Sequence, residues 1–270
     1  MSSHITRILA EIKEYQKQID NNGGKEGLNK FWIKFDCAEL TLFEILILGP
    51  EDTPYEAGWF HFTGKFPDNY PNAPPELTFR TTNQNRIRFH PNLYQTGKVC
   101  LSILGTWSGQ AWTPVMTLET VCVSLRSIMN DNPITNEPGF ENENITSVRA
   151  RNYICSARYN TIKYALIDHW NQNTNLPEEF QNIVTCNMYS GIGLYGYYRK
   201  LVEGYQAAYS NSQLRSENDS SMASIGPYAM MASSIKLHVF DWKSLLKELS
   251  VYVGDWCLES ENMELSEYEF

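Results

Sequence analysis

The chain contains six cysteines, Cys37, Cys100, Cys122, Cys155, Cys186 and Cys257. No two form a CxxC pair and none has a histidine at metal-ligand spacing, so the pattern predicts reduced thiols and no metal site. One of them stands apart by its context. In FHPNLYQTGKVCLSILG, His90-Pro91-Asn92 is followed eight residues later by Cys100. A thiol accepts an acyl group from another thioester at almost no net free-energy change, and as a thiolate it leaves readily when an amine attacks. That attack passes through a tetrahedral oxyanion, which a fixed side-chain amide can stabilise by roughly 3 kcal/mol. The amine must also lose a proton, which a nearby carboxylate or desolvation promotes. Activation of water for hydrolysis would need a Cys/His pair, and no recognisable one is present. Cys122 falls on the apolar face of a helical pattern and is expected in the core; Cys37, Cys155, Cys186 and Cys257 default to packing. His61 and His169 are expected to be structural or surface groups.

The elements that must position Cys100 follow from periodicity. Ser2 or Ser3 caps a first helix with Ile5, Ile8, Leu9, Ile12, Tyr15 and Ile19 at helical spacing, ended by Asn22-Gly23-Gly24. Strand-like runs begin at Phe31, Glu39, Gly58 and Glu76, separated by turn clusters, and suggest an antiparallel meander. Regular patterning then fades from Arg80 to about Thr117, and long irregular segments are where function tends to sit. Thr117 caps a second helix with Leu118, Val121, Cys122, Leu125 and Ile128 facing inward. A further helix from about Thr146 turns Ile154, Ile162, Ala165 and Leu166 to one side, with Arg158 interrupting it. The fold class predicted is α+β.

Composition sets the outer bounds. With 270 residues the chain can hold one domain of about 150 residues and an extension. The division expected is a core over 1–174, a mainly helical extension over 175–257 with a mobile loop near 211–234, and an acidic tail over 258–270. A formal charge of −9 without a Lys/Arg run gives a nucleic-acid backbone little to bind. The N-terminal segment has no uninterrupted apolar region of the secretory kind, and no stretch reaches the ~18 apolar residues a bilayer span needs. These features predict a soluble protein of the cytoplasm, with the nucleus open as a second compartment, and neither nucleic acid nor membrane as partner.

Several linked motifs resemble the ubiquitin-conjugating enzymes. They are the HPN tripeptide, the eight-residue step to a GxVCLS cysteine, Trp112-Thr113-Pro114, a helix followed by Asn-Pro, and upstream ILGPEDTPY and FPDNYPNAPP in the same order. Together they run from about Ser3 to Asn173. VCLSILGTWSGQAWTP, with its inserted loop and Ser102, and NEPGFE are similar to the extended Z-type members. The resemblance implies the conjugating-enzyme fold: an N-terminal helix, a four-stranded antiparallel meander, an active-site stretch and C-terminal helices. It also implies that Cys100 is both acceptor and carrier of a modifier. Asn92 matches the residue assigned to the oxyanion or to loop structure, and His90 the residue that holds that loop by hydrogen bonds. Glu137, before Pro138, matches the family's acidic residue, with Asp131 as a rival.

The family's activating-enzyme surface maps to Arg7, Lys13 and Lys17 on the first helix, and its ligase loops to Pro71, Asn72, Trp112 and Pro114. Asn72 stands where an exposed apolar residue is common, which weakens the expectation of ordinary ligase engagement. The partners implied are ubiquitin or a ubiquitin-like modifier, an activating enzyme, a ligase and protein substrates. No cofactor is expected on the chain itself, since ATP is consumed by the activating enzyme. The rival is a catalytically silent scaffold that binds modifier or ligase, against which the retained Cys100 and Asn92 argue. For the C-terminal extension, a structural brace and a partner-selecting element are the two readings.

Overall fold

In the computed structural model, residues 3–21, 30–171 and 175–189 are described. The chain divides into two compact units, Met1–Asn182 and Ile183–Phe270, and both the sheet and the stretch around Cys100 belong to the first. Helix α1 (Ser3–Asn21) is followed by strands β1 (Phe31–Phe35), β2 (Leu42–Leu48), β3 (Trp59–Lys65) and β4 (Glu76–Phe79). They form one antiparallel sheet in sequence order, the meander expected from the spacing of the strand-like runs. Alternation within β2 buries Phe43, Ile45 and Ile47 on one face, and Phe60, Phe62 and Phe79 add a run of rings to the core. Strand β2 starts three residues later than the apolar run from Glu39 suggests. The reason is local: Asp36 Oδ1 accepts the backbone N–H groups of Ala38 and Glu39 and holds that segment in a turn.

Helix α2 (Leu118–Ile128) is capped by Thr117, whose hydroxyl accepts from the backbone N–H of Thr120 while the Thr120 side chain returns the bond to Thr117. Leu118, Val121, Cys122 and Leu125 are buried as the pattern predicts, whereas Ile128 is half-buried and Met129 takes the last inward position. Helix α3 (Val148–Asn160), capped by Ser147, runs into a π-helical stretch (Thr161–Ile167) and then α4 (Asp168–Trp170). Ile162, Ala165 and Leu166, in the π-helical stretch, are buried as the pattern predicts, whereas Ile154 is only half-buried, and Tyr153, Cys155 and Ala157 of α3 are buried as well.

Helix α5 (Glu178–Tyr189) starts inside the first unit, where Phe180 is buried edge-on to His61 and Gln181 Nε2 donates to the His169 carbonyl at 2.8 Å. Both histidines serve the fold. His61 lies 2.7 Å from Glu44, and His169 is hydrogen-bonded to the Trp59 carbonyl at 2.9 Å. Cys122 and Cys155 are buried as expected, but Cys37, expected to pack, is exposed, because the turn after β1 carries it out of the sheet. The end of the first helix at Asn22-Gly23-Gly24, Ser2 and the side chain of Ser3 as candidate caps, the side chains of Cys186 and Cys257, the loop near 211–234 and the tail over 258–270 lie outside the described residues. Among the described residues no helix is long and apolar enough to cross a membrane.

Candidate functional site

The stretch from Asn92 to Cys100 is a short antiparallel arc. The Cys100 N–H donates to the Asn92 carbonyl at 2.9 Å, the Tyr94 N–H to the Lys98 carbonyl at 3.0 Å and the Gly97 N–H to the Tyr94 carbonyl at 3.0 Å, while Leu93 and Val99 form a bridge. Gly97 sits at φ +87°, and a Cβ there would also come within 2.8 Å of Thr78 Cγ2. Only glycine suits this turn. The arc is pinned to β4 by a Thr78–Lys98 bridge and by the Phe79 N–H, which donates to the Gly97 carbonyl at 2.8 Å. Two-residue alternation puts buried Leu93 and Val99 on the core side and places Asn92, Tyr94, Lys98 and Cys100 together on the opposite face.

Cys100 is almost wholly buried at 1% exposure. Burial pushes its thiol above the usual range; the charges of Lys98 and Arg88 and the Tyr94 hydroxyl oppose that rise, and Glu137 adds to it. Asn92 Nδ2 donates to the Cys100 carbonyl at 2.8 Å, so the side-chain amide is tied to the backbone of that cysteine, and its Oδ1 is buried without a partner. The Asn92 N–H donates to His90 Nδ1 at 3.0 Å. The His90 proton therefore lies on Nε2, which faces the Ile128 backbone without closing a hydrogen bond. Burial takes the His90 pKa down to about 3. A neutral imidazole whose Nδ1 is committed to the loop takes up no second proton near neutrality. Behind the cysteine, Thr106 Oγ1 accepts from the Leu101 N–H at 2.9 Å and donates to the Val99 carbonyl at 2.7 Å, locking both flanks of Cys100.

Of the two acidic candidates, Glu137 is the buried one. Its Oε2 lies 2.9 Å from Arg88 Nη2; burial raises its pKa, and the charge and hydrogen bond of Arg88 oppose the rise. Asp131 is exposed. Arg88 Nη2 also donates to the Pro91 carbonyl, and its guanidinium lies over the Tyr94 ring at 4.2 Å. Arg88, Tyr94, Lys98 and Thr106 were not singled out by sequence reasoning. The two-residue alternation in NLYQTGKVC is the signal that could have placed Tyr94 and Lys98 beside the cysteine. Arg88, between Ile87 and Phe89, carries no signal of its own.

The positions assigned to partners form a second cluster. Trp112 Nε1 donates to the Pro71 carbonyl at 2.7 Å, clasping the two loops together, and Asn72 and Pro114 are exposed. Glu11 ties these loops to α1. It accepts from the Tyr70 hydroxyl, from the Leu118 N–H at 2.9 Å and from Arg7 Nε at 2.7 Å, while Arg7 Nη2 donates to the Met116 carbonyl at 2.8 Å. Arg7 is thus spent on the fold, while Lys13 and Lys17 are exposed, Lys17 with Glu14 at 3.8 Å. A cleft of about 720 Å³ lined by Lys34, Glu44, His61, Arg80, Asp168 and His169 includes none of the residues around Cys100. Among the described residues no cluster of three His, Cys, Asp or Glu side chains is arranged to hold a metal ion.

The sequence model of the family described as "Ubiquitin-conjugating enzyme" matches residues 7–159. Ubiquitin-conjugating enzyme E2 Z of Homo sapiens is 43% identical over 149 residues, 55% of this chain and 42% of that protein. A probable ubiquitin-conjugating enzyme protein 17 of Caenorhabditis elegans is 36% identical over 195 residues, 70% of this chain and 26% of that protein. The chain therefore spans less than half the length of the curated relatives it matches. Among solved structures, a Toxoplasma gondii ubiquitin conjugating enzyme E2 domain is 26% identical and aligns with a TM-score of 0.44, over 59% of this chain and 97% of that one.

Proposed function

The chain belongs to the ubiquitin-conjugating enzyme family, and on that premise we propose that Cys100 carries ubiquitin or a ubiquitin-like modifier as a thioester and passes it to a substrate lysine. Cys100 Sγ attacks the thioester of an activating enzyme, whose own thiol leaves. A lysine amine then attacks the new thioester, the carbon–sulfur bond breaks and an isopeptide bond forms. The observation that carries this reading is the arc itself, which fixes a buried thiol beside a side-chain amide bonded to the same residue's carbonyl. Asn92 in that place can serve the oxyanion as the Cys100 backbone shifts on acylation, and His90 holds its loop. Glu137 is the carboxylate nearest in role to a lysine-activating group.

The partners of this reading are an activating enzyme, met by Lys13 and Lys17 on α1, and a ligase, met by the Pro71–Asn72 and Trp112–Pro114 loops. Val115, 84% exposed next to Pro114, offers the apolar surface that Asn72 lacks. ATP is used by the activating enzyme, so no cofactor is required on this chain, and the cytoplasm or nucleus is the setting. The test mixes the full chain with ubiquitin, ATP and a panel of activating enzymes. The expected outcome is a thiol-sensitive adduct on a non-reducing gel that is absent from Cys100→Ala. No adduct with any activating enzyme, together with binding of free modifier or ligase, would replace this reading with the silent scaffold.

A further inference from the structure

Arg88 is the most costly side chain of the site. Its side chain is only 6% exposed, one of its nitrogens serves both Glu137 and Pro91, and Nε and Nη1 are buried without hydrogen-bond partners. A half-satisfied buried cation is weak evidence for stability, since a well-packed apolar residue commonly does as well or better. What Arg88 does achieve is geometric. One face of its guanidinium covers the Tyr94 ring at 4.2 Å, its edge grips Glu137 Oε2 at 2.9 Å, and Tyr94 lies on the same face of the arc as Cys100.

We propose that Arg88 is a positioning residue for discharge of the thioester, fixing the Glu137 carboxylate and the Tyr94 ring together at the Cys100 face of the arc. The inference rests on the carrier reading above and deepens it. Arg88 takes only one carboxylate oxygen, and Glu137 Oε1 remains for an incoming ammonium group. In the step itself the amine nitrogen bonds to the thioester carbon and the carbon–sulfur bond breaks. The amine proton passes to the carboxylate and on to solvent, and Cys100 leaves as thiolate. The guanidinium keeps Glu137 ionised against its burial and adds positive charge beside the departing thiolate. Lys98, Tyr94 and Cys100 are the other titratable groups of the cluster, and His90, neutral with a pKa of about 3, does not titrate where discharge would be measured. A lysine in place of Arg88 would keep the charge but lose the planar edge that reaches two partners while the face covers a ring.

The test measures single-turnover discharge of the preloaded full-length chain onto free lysine across pH, for the wild type, Arg88→Leu, Arg88→Lys, Glu137→Leu and Arg88→Leu/Glu137→Leu. Arg88→Leu is expected to slow discharge by about tenfold near neutrality, less than the roughly hundredfold or more that a positioned acid–base group itself supplies, because Arg88 acts through Glu137. It should also move the acid limb of the profile to higher pH, because burial then acts on Glu137 unopposed. Arg88→Lys should keep the limb in place with a slower plateau. The double variant, which buries no unpaired charge, should be as slow as Glu137→Leu alone, the non-additivity expected of residues acting as a unit. Wild-type rate and limb in Arg88→Leu, or in Arg88→Lys should the leucine variant not fold, would overturn the positioning role while leaving the carrier reading standing. Failure of the wild-type chain to load at all would overturn the carrier reading and this role with it.

Discussion

The loop clasp around Glu11 and the arc around Cys100 are both polar clusters built on the same core, and they treat their hydrogen bonds in opposite ways. Glu11 receives Tyr70, Leu118 and Arg7, and Arg7 and Trp112 close onto the backbone carbonyls of Met116 and Pro71. Around the thiol, Arg88 Nε and Nη1, His90 Nε2 and Asn92 Oδ1 are buried with no partner. Satisfied buried networks stiffen a structure, whereas each unmet group costs free energy that the rest of the fold must offset. The clasp therefore reads as scaffold, and the arc as a place where stability is given up so that donors, acceptors and charge stand ready for a reacting group.

The largest effect that separates the two falls on Asn92. Asn92→Ala is expected to slow discharge onto lysine about a hundredfold, the low end of what removal of an oxyanion donor costs, and to slow loading much less. Single-turnover loading and discharge assays check this, and equal slowing of both steps would reduce Asn92 to a loop-shaping residue. At the clasp the expected loss is of stability. Glu11→Ala strands the Tyr70 hydroxyl and the Leu118 N–H, leaves Arg7 only its bond to the Met116 carbonyl, and should cost about 2–3 kcal/mol in denaturant unfolding. The rate at which iodoacetamide alkylates Cys100 in the folded chain should stay unchanged; a change there would show that clasp and arc are one network.

The same contrast governs what could be read from the sequence. The sheet was legible because Phe31–Phe35, Leu42–Leu48 and Trp59–Lys65 carry their burial in composition, and α2 because Thr117 announces its cap. Cys100, Asn92 and His90 were legible because motif and spacing set them together. The environment of the thiol was not. Arg88 and Glu137 are 49 residues apart, and Thr117 to Ile128 lies between them in sequence, so only the folded chain brings a buried cation to a buried carboxylate. Cys37 misled for a related reason, since a cysteine says nothing of the turn that carries it outward. In the last helices Ile162, Ala165 and Leu166 were legible from their spacing, while buried Tyr153 and Cys155 of α3 fall among polar neighbours that hide them from an apolar pattern.

A smaller effect concerns two histidines, one in each kind of surrounding. His90 at the arc and His169 in the satisfied core are both neutral in the fold, with burial as the first cause and pKa values of about 3. Unfolded, each titrates near 6.5, so between about pH 6.5 and 3 the unfolded chain binds more protons than the folded one. Stability must then fall as pH falls, by about 1.4 kcal/mol per pH unit for each histidine over that window. Thermal or denaturant unfolding across the range checks the slope. His169→Gln should reduce it by about half of the histidine share, and an unchanged slope would mean that His169 is charged in the folded chain.

The smallest expected effect compares the two cations that face the same thiol. Arg88 is buried under Tyr94, whereas Lys98 is exposed with its ammonium 5.8 Å from the centre of that ring. Both charges favour the thiolate of Cys100. Water and salt screen the exposed one, since at physiological ionic strength exposed charges interact over a Debye length of about 8 Å. Lys98→Ala should therefore slow alkylation of Cys100 by only about twofold at low salt and not at all near 1 M salt. The slowing caused by Arg88→Leu should persist at both. Cys37, exposed, would be modified early in each case, and Cys122 and Cys155, both buried with thiols pushed up by that burial, much later, so site-resolved mass spectrometry is the readout. A salt-sensitive Arg88 effect would place its charge in solvent, and the division between a screened surface cation and a buried working one would then fail.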